Sequence, residues 1–261
     1  MRTYVDQLGR SITISDTPKK IISLVPSITE LIADIGCHNR IVGCTKFCIH
    51  PKDLKEKTTI IGGTKNIRMK SIYQLNPDLI IANKEENNQK DIEQLMEHYP
   101  VWISQVASLE DSYDMINQLG HILGRVDSAR SIIKLHQNLF NKRIDEVKSV
   151  AYLIWQDPMM TIGSDTFIHD VLRKSGYHNV FDGAVRYPEI SIAMIKEKNP
   201  KVIFLSSEPF PFKEQHLNWW KEQMPNSQVI LVDGEFFSWY GSRITHKQTY
   251  LSKLRSECMT T

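Results

Sequence analysis

Cysteine is scarce in this chain. Four stand among its 261 residues, Cys37, Cys44, Cys48 and Cys258, and no two have zinc-type or redox-pair spacing. Free thiols suit a reducing compartment better, although Cys44 and Cys48 can bridge if their loop folds back. Long apolar runs are missing too. None approaches the ~18 residues that span a bilayer, so no membrane insertion is expected. Charge imbalance is absent, with 32 Lys and Arg against 30 Asp and Glu. No stretch gathers basic residues without acidic neighbours, which excludes a nucleic-acid surface. The first residues, Met1 to Asp6, lack the apolar core of a signal peptide. The chain therefore reads as cytoplasmic if Met1 is the native start, or as periplasmic or cell-envelope if a leader was removed.

Catalytic signatures are also missing. No Gly-x-Gly-x-x-Gly follows a strand, and there is no Walker loop, nucleophile elbow or His-Glu-x-x-His. No enzyme is expected. The loop carboxylates Asp157, Glu208, Asp233 and Glu235 keep acid–base catalysis as one alternative, and a structural interaction module is another. Neither a short-period repeat nor a low-complexity segment occurs.

What is present is a periodic segment near the middle. From Ser128 to Val147 the apolar residues Ile132, Ile133, Leu135, Leu139, Phe140, Ile144 and Val147 recur at steps of three and four. That spacing predicts one long helix with a buried face, and at roughly 20 residues it would span about 30 Å. Short apolar strands alternate with helices on both sides, the pattern of a parallel sheet. Before it, strands are expected at 21–25, 41–44, 78–82 and 101–103, and helices at 68–75, 86–98 and 108–123. Ser27-Ile-Thr-Glu30 reads as a capping box opening another helix after Pro26. Beyond it, strands are expected at 149–155, 201–206 and 228–232, and helices at 165–174, 191–198, 213–223 and 244–256. Ile72-x-x-Leu75-Asn-Pro77 and Ile195-x-x-Lys198-Asn-Pro200 echo each other, each ending a helix ahead of a strand. The fold class is therefore α/β: an N-terminal lobe over 1–124, a linking helix over 125–148 and a C-terminal lobe over 149–261. A cleft between the lobes is the expected ligand site.

Leu24-Val-Pro-Ser-Ile-Thr-Glu30, Leu75-Asn-Pro-Asp-Leu-Ile-Ile-Ala82, the central helix and Gly163-Ser-Asp-Thr166 carry a family resemblance over nearly the whole chain. The sequence resembles the ABC-transporter substrate-binding proteins with a helical backbone, and in order and spacing it is most similar to their cobalamin-binding members. The resemblance implies two α/β lobes on one rigid helix and small motion on binding. It also implies no intrinsic cofactor. The ligand would be a metal chelate: a corrinoid, with a ferric siderophore or haem next. The chelate's own metal aside, no metal site is expected. An ABC permease is the implied partner. Importer-associated members carry an acidic docking residue on each lobe; at the matching helix starts this chain has Lys70 and Ala193, with Glu189 and Glu197 nearby as substitutes. The lost carboxylates put that partnership in doubt and favour, as the alternative, a cytoplasmic carrier, sensor or salvage factor.

In such folds ligands sit beyond the carboxyl ends of the strands. The candidate contacts in the first lobe are Pro26, Ser27, Lys46, Phe47, Cys48, Thr64, Lys65, Asn66, Asn83 and Lys84. In the second they are Trp155, Met159, Met160, Arg186, Tyr187, Glu208, Phe210, Phe236, Trp239, Tyr240 and Arg243. The segment from Phe236 to Arg243 is the sharpest. It sets flat aromatic area beside a forked cationic donor, which suits a broad molecule with polar edges. Ordinary packing of the aromatics, and pairing of Arg243 with a carboxylate, are the competing explanations. Metal ligation by Cys48 and His50 is a further alternative, resting on two residues of one loop, and His169 is expected to be structural.

Overall fold

The computed structural model describes residues 1–141 and 147–259. The chain divides into two units. The first comprises Met1–Val106, Glu110–Leu135 and Tyr240–Arg243; the second comprises Ala107–Leu109, His136–Trp239 and Ile244–Thr261.

The first unit opens with an antiparallel hairpin, β1 (Arg2–Val5) and β2 (Ser11–Ile14). Its sheet contains β3 (Ile21–Ser23), β4 (Ile41–Cys44), β5 (Thr59–Ile60), β6 (Leu79–Asn83) and β7 (Val101–Ser104), in the order β5-β4-β3-β6-β7 and parallel throughout. Both faces of a parallel sheet are covered, so its central strands read as unbroken apolar runs. Accordingly β6 is buried at all five positions. Its helices are α1 (Pro26–Ile32), α2 (Leu54–Lys57), α3 (Met69–Leu75), α4 (Gln89–Met96), α5 (Leu109–Leu123) and α6 (Val126–Phe140), the last passing into the second unit at His136.

The second unit repeats the plan. It has β8 (Lys148–Leu153), a small hairpin of β9 (Trp155–Gln156) and β10 (Met159–Met160), then β11 (Tyr177–Asn179), β12 (Val202–Ser206) and β13 (Gln228–Val232). The sheet order is β11-β8-β12-β13, again all parallel. Its helices are α7 (Phe167–Lys174), α8 (Ile192–Lys198), α9 (Glu214–Gln223), α10 (Gly234–Ser238) and α11 (Tyr250–Met259). The two α/β units are of the kind expected.

The echoed Asn-Pro segments have one geometry. Asn76 caps α3 and Asn199 caps α8 in the left-handed region, at φ 46° and 44°. Each N–H closes onto the carbonyl four residues back, Ile72 at 3.2 Å and Ile195 at 3.0 Å. Asn tolerates this conformation better than other side chains, and the Pro that follows stops the helix.

Several expectations need correction. The central helix begins at Val126 and is described to Phe140, with a separate α5 before it. Ile144 lies outside the described residues. Val147 is not helical and is 62% exposed, and Leu135 is exposed as well. The face that α6 buries is instead Ala129, Ile132, His136, Leu139 and Phe140. Ser27-Ile-Thr-Glu30 is not a capping box: α1 starts at Pro26, its N-cap is Val25, and no side chain caps it. The closing helix is two pieces, a tight turn over Arg243–Lys247 and then α11. The hairpins, β5, β11 and α10 were not anticipated, because two to five residues leave too little periodicity to read.

Candidate ligand-binding site

Each sheet reverses its strand order once, between β3 and β6 in the first unit and between β8 and β12 in the second. At such a point the loops leaving adjacent strands diverge and open a crevice at the strands' carboxyl ends.

In the first unit, buried asparagines set this edge. Asn83 ends β6; its N–H donates to Asn87 Oδ1 at 2.8 Å, and its own Oδ1 receives the N–H groups of Glu85 and Glu86. The Asn87 amide donates to the carbonyls of Leu24, after β3, and Thr64. Asn83, expected to touch ligand, is thus spent on the loop, and Ser27 is buried within α1. Cys48 is fully buried; its Sγ lies 3.2 Å from the Thr29 hydroxyl and 3.3 Å from that of Thr45. A hydrogen bond from the Cys44 thiol is the main influence that draws the Cys48 thiol down to about 6, against the effect of burial. Buried among hydroxyls, Cys48 is no surface contact. Lys65 and Lys84 are exposed but tethered, to the Glu85 carbonyl at 2.5 Å and to Gln105 at 2.9 Å. Lys46, Phe47 and Asn66 are exposed, with Phe47 at 50% and the Lys46 ammonium 5.0 Å from its ring centroid; Pro26 and Thr64 are half-buried.

Tyr240 and Arg243 belong to this first unit. Both are buried, and both polar ends meet carboxylates. The Tyr240 hydroxyl donates to Glu86 Oε1 at 2.5 Å. Arg243 Nε donates to Glu30 Oε2 at 3.0 Å, and its Nη2 also meets that carboxylate. Arg243 is therefore an internal ion pair rather than a ligand donor, and Tyr240 is anchored by its hydroxyl. Glu30 went unread because the Ser-x-x-Glu pattern assigned its carboxylate to a helix cap.

In the second unit, β8 is tied to the end of β12 by the Tyr152 hydroxyl, which donates to Ser206 Oγ at 3.0 Å. Phe236, expected at the ligand, is 0% exposed on α10. It packs on Phe237 and Tyr250, with ring centroids 5.2 and 4.8 Å away. Packing of these aromatics is what the structure shows, and α10 forms because Asp233 caps it, accepting from the Phe236 N–H at 3.3 Å. Trp239 is also mostly buried, and its Nε1 donates to Glu208 Oε1 at 2.8 Å.

Glu208 is half-buried in the loop after β12. Its Oε1 receives two donors, Trp239 Nε1 and the Ser238 hydroxyl at 2.6 Å. Among the described residues Oε2 receives none. Burial pushes this carboxyl up; the Ser238 hydrogen bond opposes it, and the neighbouring Glu235 and Asp233 add to it. Glycine at 234 makes the arrangement fit, since a Cβ there would lie 2.5 Å from Glu208 Cγ.

Trp155 opens β9 and is 36% exposed. Its Nε1 donates to the Asp157 carbonyl at 2.9 Å, and its ring meets Phe210 edge-to-face at 5.6 Å. Met159 and Met160 on β10 are half-buried, and Met160 bridges to Glu189. Tyr187 and Arg186 are exposed side by side, with the guanidinium 5.4 Å from the ring centroid and 4.0 Å from the Asp165 carboxylate.

Two parallel α/β units thus carry aromatic faces and a carboxylate on their strand-end loops, the place where such folds bind ligands. The chain belongs to the periplasmic binding protein family, whose profile matches residues 21–228. It is 28% identical over 243 residues to a vitamin B12-binding protein of Vibrio vulnificus, 87% of each chain. It is 24% identical over 257 residues to an ABC transporter substrate-binding lipoprotein of Bacillus subtilis, 93% of this chain and 81% of that one. The crystal structure of the periplasmic vitamin B12-binding protein of Vibrio cholerae shares the fold, with a TM-score of 0.81 at 22% identity over 94% of this chain and 99% of that one. The chain is a solute-binding protein and not an enzyme.

Proposed function

We propose that this protein captures a cobalamin-like corrinoid and delivers it to an ABC-type importer, with ferric siderophores and haem as the next ligand classes. The observation that carries the reading is Trp155. A large apolar face is left open at a sheet's carboxyl edge, and its polar end is already satisfied by Asp157. A rigid aromatic platform of this kind suits a flat macrocycle. The names of the Vibrio relatives point to the same ligand. Tyr187, Phe210 and Glu208 are the further contacts we propose in the second unit.

The same names, one a lipoprotein and the other periplasmic, support the cell envelope over the cytoplasm as the place of work. Docking to the permease is the weak point. Lys70 on α3 and Ala193 on α8 are both exposed and offer no carboxylate. Permease association is therefore weak unless Glu189 or Glu197 replaces them. Calorimetric titration with cyanocobalamin, haemin and a ferric hydroxamate in turn tests the ligand class. Micromolar or tighter binding of cyanocobalamin supports the reading, and failure of all three below millimolar concentration removes it.

A further inference from the structure

Glu208 is a carboxylate at these loop edges that is built in and, among the described residues, only half used. Its backbone is fixed by the Ser206 hydroxyl, which donates to the Glu208 carbonyl at 2.6 Å. The chain beside it is fixed by the Gly234 N–H, which donates to Ser207 Oγ at 2.9 Å. Its side chain lies in the space a Cβ at Gly234 would fill. Ser238 and Trp239 hold Oε1, so Oε2 is aimed without freedom to swing away. Neighbouring charge is acidic on balance. Asp233 caps α10 and Glu235 lies in its first turn, Lys247 bridges those two, and Tyr152 on β8 stands neutral nearby. Lys247 thus compensates that pair, and no cation pairs with Glu208 among the described residues.

An oriented carboxylate oxygen of this kind accepts an N–H strongly and repels another carboxylate. The ligand classes differ in this respect: the edge of a corrinoid carries neutral carboxamides, which offer N–H donors, whereas haem carries two propionates. We propose that Glu208 is a specificity-determining residue, whose Oε2 accepts an N–H from a ligand carboxamide and whose charge turns away ligands edged with carboxylates. This rests on the corrinoid reading and names what selects within it.

The experiment compares cyanocobalamin with its monocarboxylates, in which one peripheral carboxamide is hydrolysed, and with haemin. Affinities at pH 8 are measured for the intact protein, E208Q and E208D, with melting temperatures as a control on folding. The intact protein should favour the amide form by 10-fold or more, as roughly expected when a charge meets a like charge. E208Q has a single amide oxygen, which stays on the Ser238 and Trp239 donors, and sets an NH2 in the place of Oε2; cyanocobalamin affinity should fall, the monocarboxylates should no longer be repelled, and the preference should drop below about 3-fold. E208D keeps the charge but withdraws the oxygen, so cyanocobalamin affinity should fall while the monocarboxylates remain disfavoured. A preference unchanged in folded E208Q, or no preference in the intact protein, overturns the role of Glu208 alone. Haemin binding without cyanocobalamin binding, or no binding at all, overturns the corrinoid reading and this role with it.

Discussion

Arg243 and Glu30 form a buried ion pair across 213 residues of sequence, with Nε donating to Oε2 at 3.0 Å. Their side chains are 8% and 5% exposed. The contact ties the segment after Tyr240 to α1 within the first unit. Two charges withdrawn from water gain little over a well-packed apolar pair, but either one left alone is costly. Removing one partner of such a pair typically costs about 3–5 kcal/mol. Arg243→Ala and Glu30→Ala should each lower the unfolding free energy from urea melts by that order, and the double Arg243→Met, Glu30→Met variant should recover much of it. Singles that unfold like the intact protein would mean the pair contributes nothing.

Gly234 is needed for a different reason. A methyl group there would meet Glu208 Cγ at 2.5 Å, Ser206 Oγ at 2.7 Å and the Glu208 N–H nitrogen at 2.8 Å. Two of the three belong to Glu208, so the added carbon must push that residue. Overpacking of this kind typically costs about 1–3 kcal/mol. Gly234→Ala should lower the melting temperature and weaken cyanocobalamin binding together. A variant with unchanged stability would show that the loop yields freely.

These residues also show what a sequence can and cannot carry. The alternating apolar segments gave every central strand of both sheets, because a buried parallel strand must be apolar throughout. The Asn-Pro echo marked the two matched helix ends at Asn76 and Asn199, since a proline cannot continue a helix and an asparagine tolerates the left-handed cap. In the aromatic run from Phe236 to Tyr240, spacing did not tell the buried ring from its neighbours. Phe236 faces the core while Trp239 sends its indole N–H to Glu208, and which neighbour an aromatic meets is settled by tertiary packing, not spacing. Glu30 and Arg243 were each visible, but nothing local links two residues so far apart. Trp155 was legible as a candidate; its openness follows from a two-residue strand too short to predict.

Trp155 and Phe236 should separate binding from stability. Trp155 is open and Phe236 fully buried. Trp155→Ala should leave the melting temperature almost unchanged and weaken cyanocobalamin binding by about 2 kcal/mol, the loss typical of a central aromatic anchor. Phe236→Ala should instead destabilise the fold by about 3–5 kcal/mol, as buried aromatics do on truncation. Calorimetry and denaturant melts on both variants check the contrast. Full affinity in Trp155→Ala would remove that residue from the site.

His136 should set an acid limit on stability. It is 0% exposed on α6, and burial pulls its imidazole from the ordinary 6.5 down to about 4. Below pH 6.5 the unfolded chain takes up a proton that the folded chain refuses until about pH 4. More protons on the unfolded state mean that stability rises with pH across this window and falls as pH drops through it. Above 6.5 both states hold neutral imidazole and the effect vanishes. The full depression is equivalent to roughly 3 kcal/mol. His136→Leu removes the titration while filling most of the space. Urea midpoints at pH 4.5, 5.5, 6.5 and 7.5 should therefore diverge, the intact protein losing stability toward low pH faster than the variant. Parallel curves would mean that His136 takes up its proton in the folded state as readily as in the unfolded one, and that its burial has no bearing on acid stability.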